Sequence, residues 1–317
     1  MTLTQDELGE YFVNDKLREE IADAYAIQGT FFCKKDYFGL TESEALSYGW
    51  ERFCTVLKHK TRFVFLAERD ENVSIRTPDD ITPADFLDHL AELITELGLV
   101  RELSAGTRFC RVRVHDPSIS VETASDLGPP PVEHARFANR MSPAGIPLFY
   151  GATDRRTAVC ETYEPEKGKD VRITSGEFVT ARPILVCDFT DLPTIPSLFD
   201  PEKQDTRQQL MFLHDFVADL SKPIEKDGRE HIEYVPTEVV TEYLRRVFAH
   251  PELGPLHGIL YRSARRDKGV CCALFFDEND CTDIFPGWER VTNNDRHVWW
   301  LGLDALSVVT RKPPKGT

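Results

Sequence analysis

The hydrophobic period of this chain changes near residue 105, which divides it into a mostly helical first part and a mixed second part. Before that point Phe86, Leu87, Leu90, Leu93, Ile94 and Leu97 recur at three- and four-residue spacing, the apolar stripe of an amphipathic helix. Pro83 opens that helix and Gly98 closes it. Residues 6–26 read as a further helix, and Thr41-Glu-Ser-Glu supplies a capping-box start before Ala45, Leu46 and Trp50. Residues 62–68 are either a short strand or a late helical turn.

From Thr107 the texture differs. Phe109, Val112 and Val114 fall among Arg108, Arg111 and Arg113, a strand-like stretch. Further short strands are predicted at 184–189, 258–261, 273–276 and 298–301, with helices at 210–220 and 239–248. This mixture has no regular βαβ repeat and predicts an α+β sheet domain. Gly128-Pro-Pro-Pro is a loop inside that domain, because the segment after it completes a motif begun before it. The expected division is a helical domain over 1–104 and an α+β domain over 105–317.

Charge narrows the partners. The chain carries 38 basic and 53 acidic residues, a net of −15, which disfavours duplex nucleic acid or an anionic membrane as the main partner. Residues 1–100 hold 20 acidic and 10 basic residues, so most of the imbalance lies in the helical part. The first residues have neither a basic n-region nor an apolar h-region, and the longest apolar run, 270–276, is too short for a membrane span. Eight cysteines without a Cys-x-x-Cys pair read as reduced thiols of a cytoplasmic protein, not a disulfide scaffold or zinc site. No Gly-x-Gly-x-x-Gly follows a strand, which disfavours Rossmann-type use of a dinucleotide as a redox cofactor.

Three segments carry the chemistry: Thr107-Arg-Phe-Cys-Arg-Val-Arg, the stretch from Asn139 to Glu161, and Glu233-Tyr-Val-Pro-Thr-Glu with the later Gly258-Ile-Leu-Tyr-Arg-Ser-Ala-Arg. The second is a polar turn, a strand ending at Tyr150, and a helix capped by Thr153 or Asp154. Glu161 lies about two turns into that helix beside apolar neighbours. A carboxylate in such a stretch must be paired or face a cleft. Taken singly, Glu161 is a salt-bridged helix residue, and Arg111 and Arg140 are surface arginines.

Together, in this order, the segments resemble the RES domain family, named for its Arg, Glu and Ser. The Arg-x-Arg strand matches at Arg111-Val-Arg113. The Gly-Arg-Trp-Asn-x-x-Gly turn, Leu-Tyr-x-Ala strand and Ala-x-x-Glu helix match Arg140, Gly145, Leu148 to Ala152, and Ala158 to Glu161. The Tyr-x-x-Thr-Gln helix start matches Tyr234 to Glu238, and the Gly-Ile-x-Tyr-x-Ser strand matches Gly258 to Ser263. The resemblance spans roughly residues 105–310. Departures are Ser142 in place of the turn's Asn, Glu238 in place of Gln, and 270–272 in place of the Asn before the late strand. The first hundred residues resemble the helical domain of longer RES proteins, with only Cys33 left of its paired cysteines. Arg52 and His59 approach the Arg-x(4–6)-His spacing of HEPN ribonucleases.

The resemblance implies an ADP-ribosyltransferase-like split β-sheet core and an enzyme that destroys NAD by hydrolysis or phosphorolysis of the nicotinamide–ribose bond. NAD is then a consumed substrate, and no cofactor or metal is required. Arg111, Glu161 and Ser263 are the implied catalytic residues. Arg140, Tyr150, Tyr234, Thr237 and Tyr261 are implied in holding NAD, with Arg111 and Arg140 suited to its pyrophosphate. The positive charge is local, since ten arginines, among them Arg136, Arg262, Arg265 and Arg266, fall in the motif segments or directly beside them. A neutralising antitoxin or regulatory partner and a homo-oligomeric state are further expectations. Two other readings stay open: ADP-ribosyl transfer to a protein or nucleotide, and a non-enzymatic module that binds NAD or ADP-ribose.

Overall fold

The structure, a computed structural model, describes residues 39–67, 79–165, 170–222, 228–288 and 299–313. The helix expected at 6–26 and Cys33 lie outside the described residues.

Helix α1 (Glu42–His59) starts as its sequence demands. The Thr41 hydroxyl accepts from the Glu44 amide at 3.3 Å, and the Glu44 carboxylate accepts from the Thr41 amide at 2.6 Å. Helix α2 (Pro83–Glu96) is capped by Thr82, with proline in its first turn, and the chain leaves it through Gly98 at φ +65°. The ambiguous stretch at 62–68 contains a 3-10 turn at Phe65–Ala67. Among the described residues no helix is long and apolar enough to cross a membrane.

The strands are β1 (Val100–Leu103), β2 (Arg108–His115), β3 (Phe149–Ala152), β4 (Arg172–Thr180), β5 (Ile184–Asp188), β6 (Ala249–His250), β7 (Gly254–Pro255), β8 (Gly258–Arg262), β9 (Val270–Leu274), β10 (Cys281–Asp283) and β11 (Leu301–Arg311). The pair β6–β7 is separate; the others form one mixed nine-stranded sheet in the order β1-β5-β8-β9-β3-β2-β4-β11-β10. At its middle, β2 and β3 share one register pair, Cys110 with Ala152, whereas β2 and β4 share eight, from Arg108–Val179 to His115–Arg172. The sheet therefore nearly parts into two halves, the split α+β core expected from the sequence.

The remaining helices are α3 (Ala124–Leu127), α4 (Arg155–Thr162), α5 (Gln204–Ser221), α6 (Glu230–Glu233) and α7 (Val235–Arg246). Strand alternation sorts their cores. Along β5, Leu185 and Cys187 join the core of α1, α2, α5 and α7, while Ile184 and Val186 join a cluster on the other face with Phe109, Phe149 and Leu303. A smaller cluster of Cys110, Val112, Ala152, Ala158 and Cys271 lies under α4.

The expected division after residue 104 falls between β1 and β2, two strands of one sheet. Moreover, α1 is not packed apart from the sheet domain. Trp50 stands edge-on to Phe216 of α5 at 5.0 Å, and its indole nitrogen donates to Asp219 at 2.8 Å.

Several elements differ from expectation; β9 begins at Val270 and ends at Leu274 instead of spanning 273–276, and α5 begins at Gln204 instead of 210. Strand β4 has no counterpart among the expected strands, because its buried Thr174, Ser175 and Thr180 give it a polar reading. The late strand runs over Leu301–Arg311 instead of 298–301, since the pairing with β4 starts at Leu301, opposite Thr180. Helix α7 opens at Val235, four residues before the expected 239, with Pro236 in its first turn.

Candidate active site

The cleft is lined both by Leu148 of the large core and by Cys110, Val112, Ala158 and Cys271 of the smaller cluster under α4. It measures about 990 Å³, the upper end of the range for small-molecule sites. Tyr150 of β3 and Tyr261 of β8 line it, each paired across β9, Tyr150 beside Ala273 and Tyr261 beside Cys271. Burial pushes both phenols well above their ordinary range, so they are neutral hydrogen-bonding groups. The Tyr150 hydroxyl shares a hydrogen bond with Ser142 at 2.9 Å. Ser142 is buried in the turn before β3, which brings its hydroxyl to this ring.

Glu161 forms one wall from helix α4. Asp154, not Thr153, caps that helix, accepting from the amides of Arg156 at 2.9 Å and Thr157 at 3.0 Å. Glu161 Oε1 accepts a short hydrogen bond from Ser263 Oγ and a longer one, 3.4 Å, from the Arg265 amide. The Ser263 oxygen itself accepts from the amides of Arg265 at 3.2 Å and Arg266 at 3.0 Å. With its lone pairs engaged, the hydroxyl proton is directed at Glu161. The turn beyond Ser263 closes where the Ser263 amide donates to Gly269 O at 2.9 Å. A Cβ on Gly269 would lie 2.8 Å from a Thr157 carbon and 2.9 Å from the Ser263 Cβ, so only glycine lets this loop approach α4 so closely.

Arg111 occupies the split. Its Nε donates to Leu127 O and its Nη1 to Tyr150 O, both at 2.6 Å, and the guanidinium lies 5.2 Å from the centre of the Phe149 ring. Burial lowers its pKa to about 10, still far above neutrality. The arginine thus satisfies a β3 carbonyl that the missing β2 ladder leaves unpaired. Arg140 donates a short hydrogen bond to Leu220 O near the C-terminal end of α5, where a cation complements the helix dipole. Thr237 donates to the carbonyl of Arg140 and, at 2.9 Å, to that of Tyr234.

Of the residues singled out from sequence, Arg111, Arg140, Tyr150, Glu161, Tyr234 and Tyr261 line the cleft. Ser263 and Thr237 stand behind it, one bonded to Glu161 and the other to the backbone of Arg140. Arg52, the first half of the ribonuclease-like pair, is engaged with Asp80 at 2.7 Å, and His59 is exposed in the last turn of α1.

Sequence reasoning names Arg136, Arg262 and Arg265 only as part of a local positive charge, without a role, and does not name Phe137; all four line the cleft. Their signal is adjacency to the motifs, which does not say which arginines face the cleft. Behind Tyr150, Glu238 is 7% exposed and its Oε1 has no hydrogen-bond partner. Burial, reinforced by Glu242 and opposed by Arg62, raises its pKa to about 7.

Comparison with known proteins agrees with this layout. The family model of the RES domain matches residues 110–286, more than half of the chain and the part that holds both Glu161 and Ser263. That of HEPN/RES N-terminal domain 1 matches residues 2–71. No curated protein and no solved structure matches the chain.

Proposed function

The chain belongs to the RES domain family, and from that footing we propose that it consumes NAD by cleaving the bond between nicotinamide and ribose, with water or phosphate as acceptor. A RES domain joined to a HEPN/RES N-terminal domain is a toxin-like, NAD-related module. The observation that carries the finer reading is Glu161, a carboxylate on the wall of an arginine-lined cleft with its rotamer held by Ser263.

The chemistry suits that group. As the C1′–N bond breaks, its electron pair leaves with neutral nicotinamide and the ribose ring gains oxocarbenium character. A fixed carboxylate beside the ring stabilises that developing positive charge without reorganising. The oxygen of the acceptor then bonds to C1′ and its proton is released. Tyr150 and Tyr261 supply apolar faces with polar tips, suited to a planar base or a sugar face.

The test is to incubate the purified chain with NAD, with and without phosphate, and to follow free nicotinamide and the ribosyl product. Nicotinamide release that falls by about a thousandfold or more in Glu161→Gln is expected, the scale of losing a main electrostatic stabiliser. NAD that persists for hours while bound to the protein overturns the enzyme reading. Nicotinamide that appears only with an added macromolecular acceptor assigns transfer instead.

A further inference from the structure

Five arginines and two glutamates line the cleft, an excess of positive charge in a chain of net charge −15. The five are not equivalent. Arg111 and Arg140 are drawn to backbone carbonyls, Leu127, Tyr150 and Leu220. Arg265 pairs with Glu164 and reaches the Cys160 carbonyl at 3.4 Å. Arg136 and Arg262 are exposed, and neither guanidinium has a hydrogen bond or ion pair to a described residue.

Both are nonetheless placed on ordered backbone. Arg262 ends β8, paired with Val270, and immediately precedes the serine that holds Glu161. Arg136 follows the 3-10 turn at Val132–His134; its amide donates to His134 O at 2.9 Å, and Ala135 O accepts from Gly145 at 2.6 Å. The next residue, Phe137, lines the same cleft with 83% of its surface exposed. A phenyl ring held open to water at the mouth of a cationic cleft has an apolar face without a partner.

We infer that Arg136 and Arg262 clamp the pyrophosphate of a dinucleotide and that Phe137 covers its adenine, making the outer cleft the subsite for the ADP half of the ligand. This rests on the reading of Glu161 as the group that faces the nicotinamide riboside. The placement is consistent along the ligand: the phosphates stand one ribose away from the cleaved bond, and Arg262 stands one residue away from the holder of Glu161. It also shifts the anion-binding role from Arg111 and Arg140, each held by part of its donor set to backbone carbonyls, to two guanidinium groups that can reorient without breaking such a bond. Planar forks suit adjacent phosphates better than a single ammonium does.

The test measures binding and specificity separately. Titration calorimetry with ADP-ribose, which carries the pyrophosphate and adenine but no nicotinamide, is run on the full chain and on the double variant Arg136→Ala/Arg262→Ala. Loss of two charge-assisted contacts should weaken ADP-ribose by about 30-fold or more. Phe137→Ala should weaken it by about 10-fold, with melting temperatures unchanged because all three side chains are exposed. In kinetics, the preference for NAD over nicotinamide riboside should fall by about tenfold or more in the double variant, with the larger change in KM.

ADP-ribose affinity within twofold of the parent in the double variant overturns the clamp and leaves NAD cleavage standing. An unaltered preference for NAD over nicotinamide riboside also overturns it. A parent chain that binds ADP-ribose through these residues yet leaves NAD intact supports the subsite and overturns the catalytic reading instead.

Discussion

One nitrogen of Arg266, Nη1, lies 2.7 Å from both carboxylate oxygens of Asp154, and that same carboxylate caps the helix carrying Glu161. The pair ties α4 to the loop whose amides orient Ser263. Burial raises the Asp154 pKa, but hydrogen bonds from Thr157 and Arg266 outweigh it and hold the carboxyl below its usual range. The pair therefore remains ionic at neutral pH and weakens only in acid, as Asp154 is protonated.

Arg266→Met should lower kcat for NAD by about 10- to 100-fold with a smaller change in KM, since Arg266 positions Glu161 and Ser263 without lining the cleft. Arg266→Lys, able to restore one ion pair, should recover part of the loss. Stopped assays of nicotinamide release give both constants; a change in KM alone would mean the tie serves the ligand and not the carboxylate.

Arg111 carries a stability prediction. Arg111→Met leaves the carbonyls of Leu127 and Tyr150 without their donor, and each buried unpaired acceptor costs about 1–3 kcal/mol. Urea unfolding should show a loss of about 2–6 kcal/mol, summed over the two, with an unchanged slope. Arg111→Lys cannot make both bonds from one point charge and should fall between. Unaltered stability with lost ADP-ribose affinity would return this arginine to the ligand.

Glu238 sets a dependence on pH. Its pKa rises from an ordinary 4.5 to about 7 on folding. Below 4.5 it is protonated in both states and costs nothing. As pH rises toward 7 the unfolded chain releases this proton while the folded chain keeps it, so stability declines; above 7 the penalty is complete, at most about 3 kcal/mol. Glu238→Gln should therefore raise the melting temperature at pH 8 and have little effect at pH 4.5, read by paired thermal melts. An equal shift at both values would exclude ionisation as the cause.

Removing residues 1–98 should not release a folded RES domain. The cut takes away Trp50 and Phe86, whose rings pack with Phe212 and Phe216 of α5, and Phe53, which stacks behind those two rings. The fragment should aggregate or bind a hydrophobic dye where the full chain does not. A monomeric fragment with a cooperative melt would show that α5 and α7 keep their packing unaided.

These packing relations are the part least legible in the sequence. Periodicity and caps locate α1 and α2, because Thr41, Glu44, Pro83 and Gly98 act on their own neighbours. The apolar stripe of α2 does not say what it faces, and its partner α5 lies more than a hundred residues away. Strand β4 is hidden because Thr174 and Ser175 are buried through pairing with β2 and β11, a tertiary effect that no local pattern displays. At the site, short motifs mark Glu161 and Ser263 because the family pattern names them. Whether a given arginine faces ligand or carbonyl depends on the split between β2 and β3, which no spacing in the chain reveals.

The arginine excess in the cleft also governs how salt acts on this protein. An anion far from the surface is repelled by a molecule of net charge −15, and the guanidinium groups attract it only near the mouth. The Debye length shortens from about 30 Å at 0.01 M to about 8 Å at physiological ionic strength, so added salt removes the distant repulsion before the contact attraction. Encounter with an anionic dinucleotide should accelerate over that range, where a uniformly basic receptor slows.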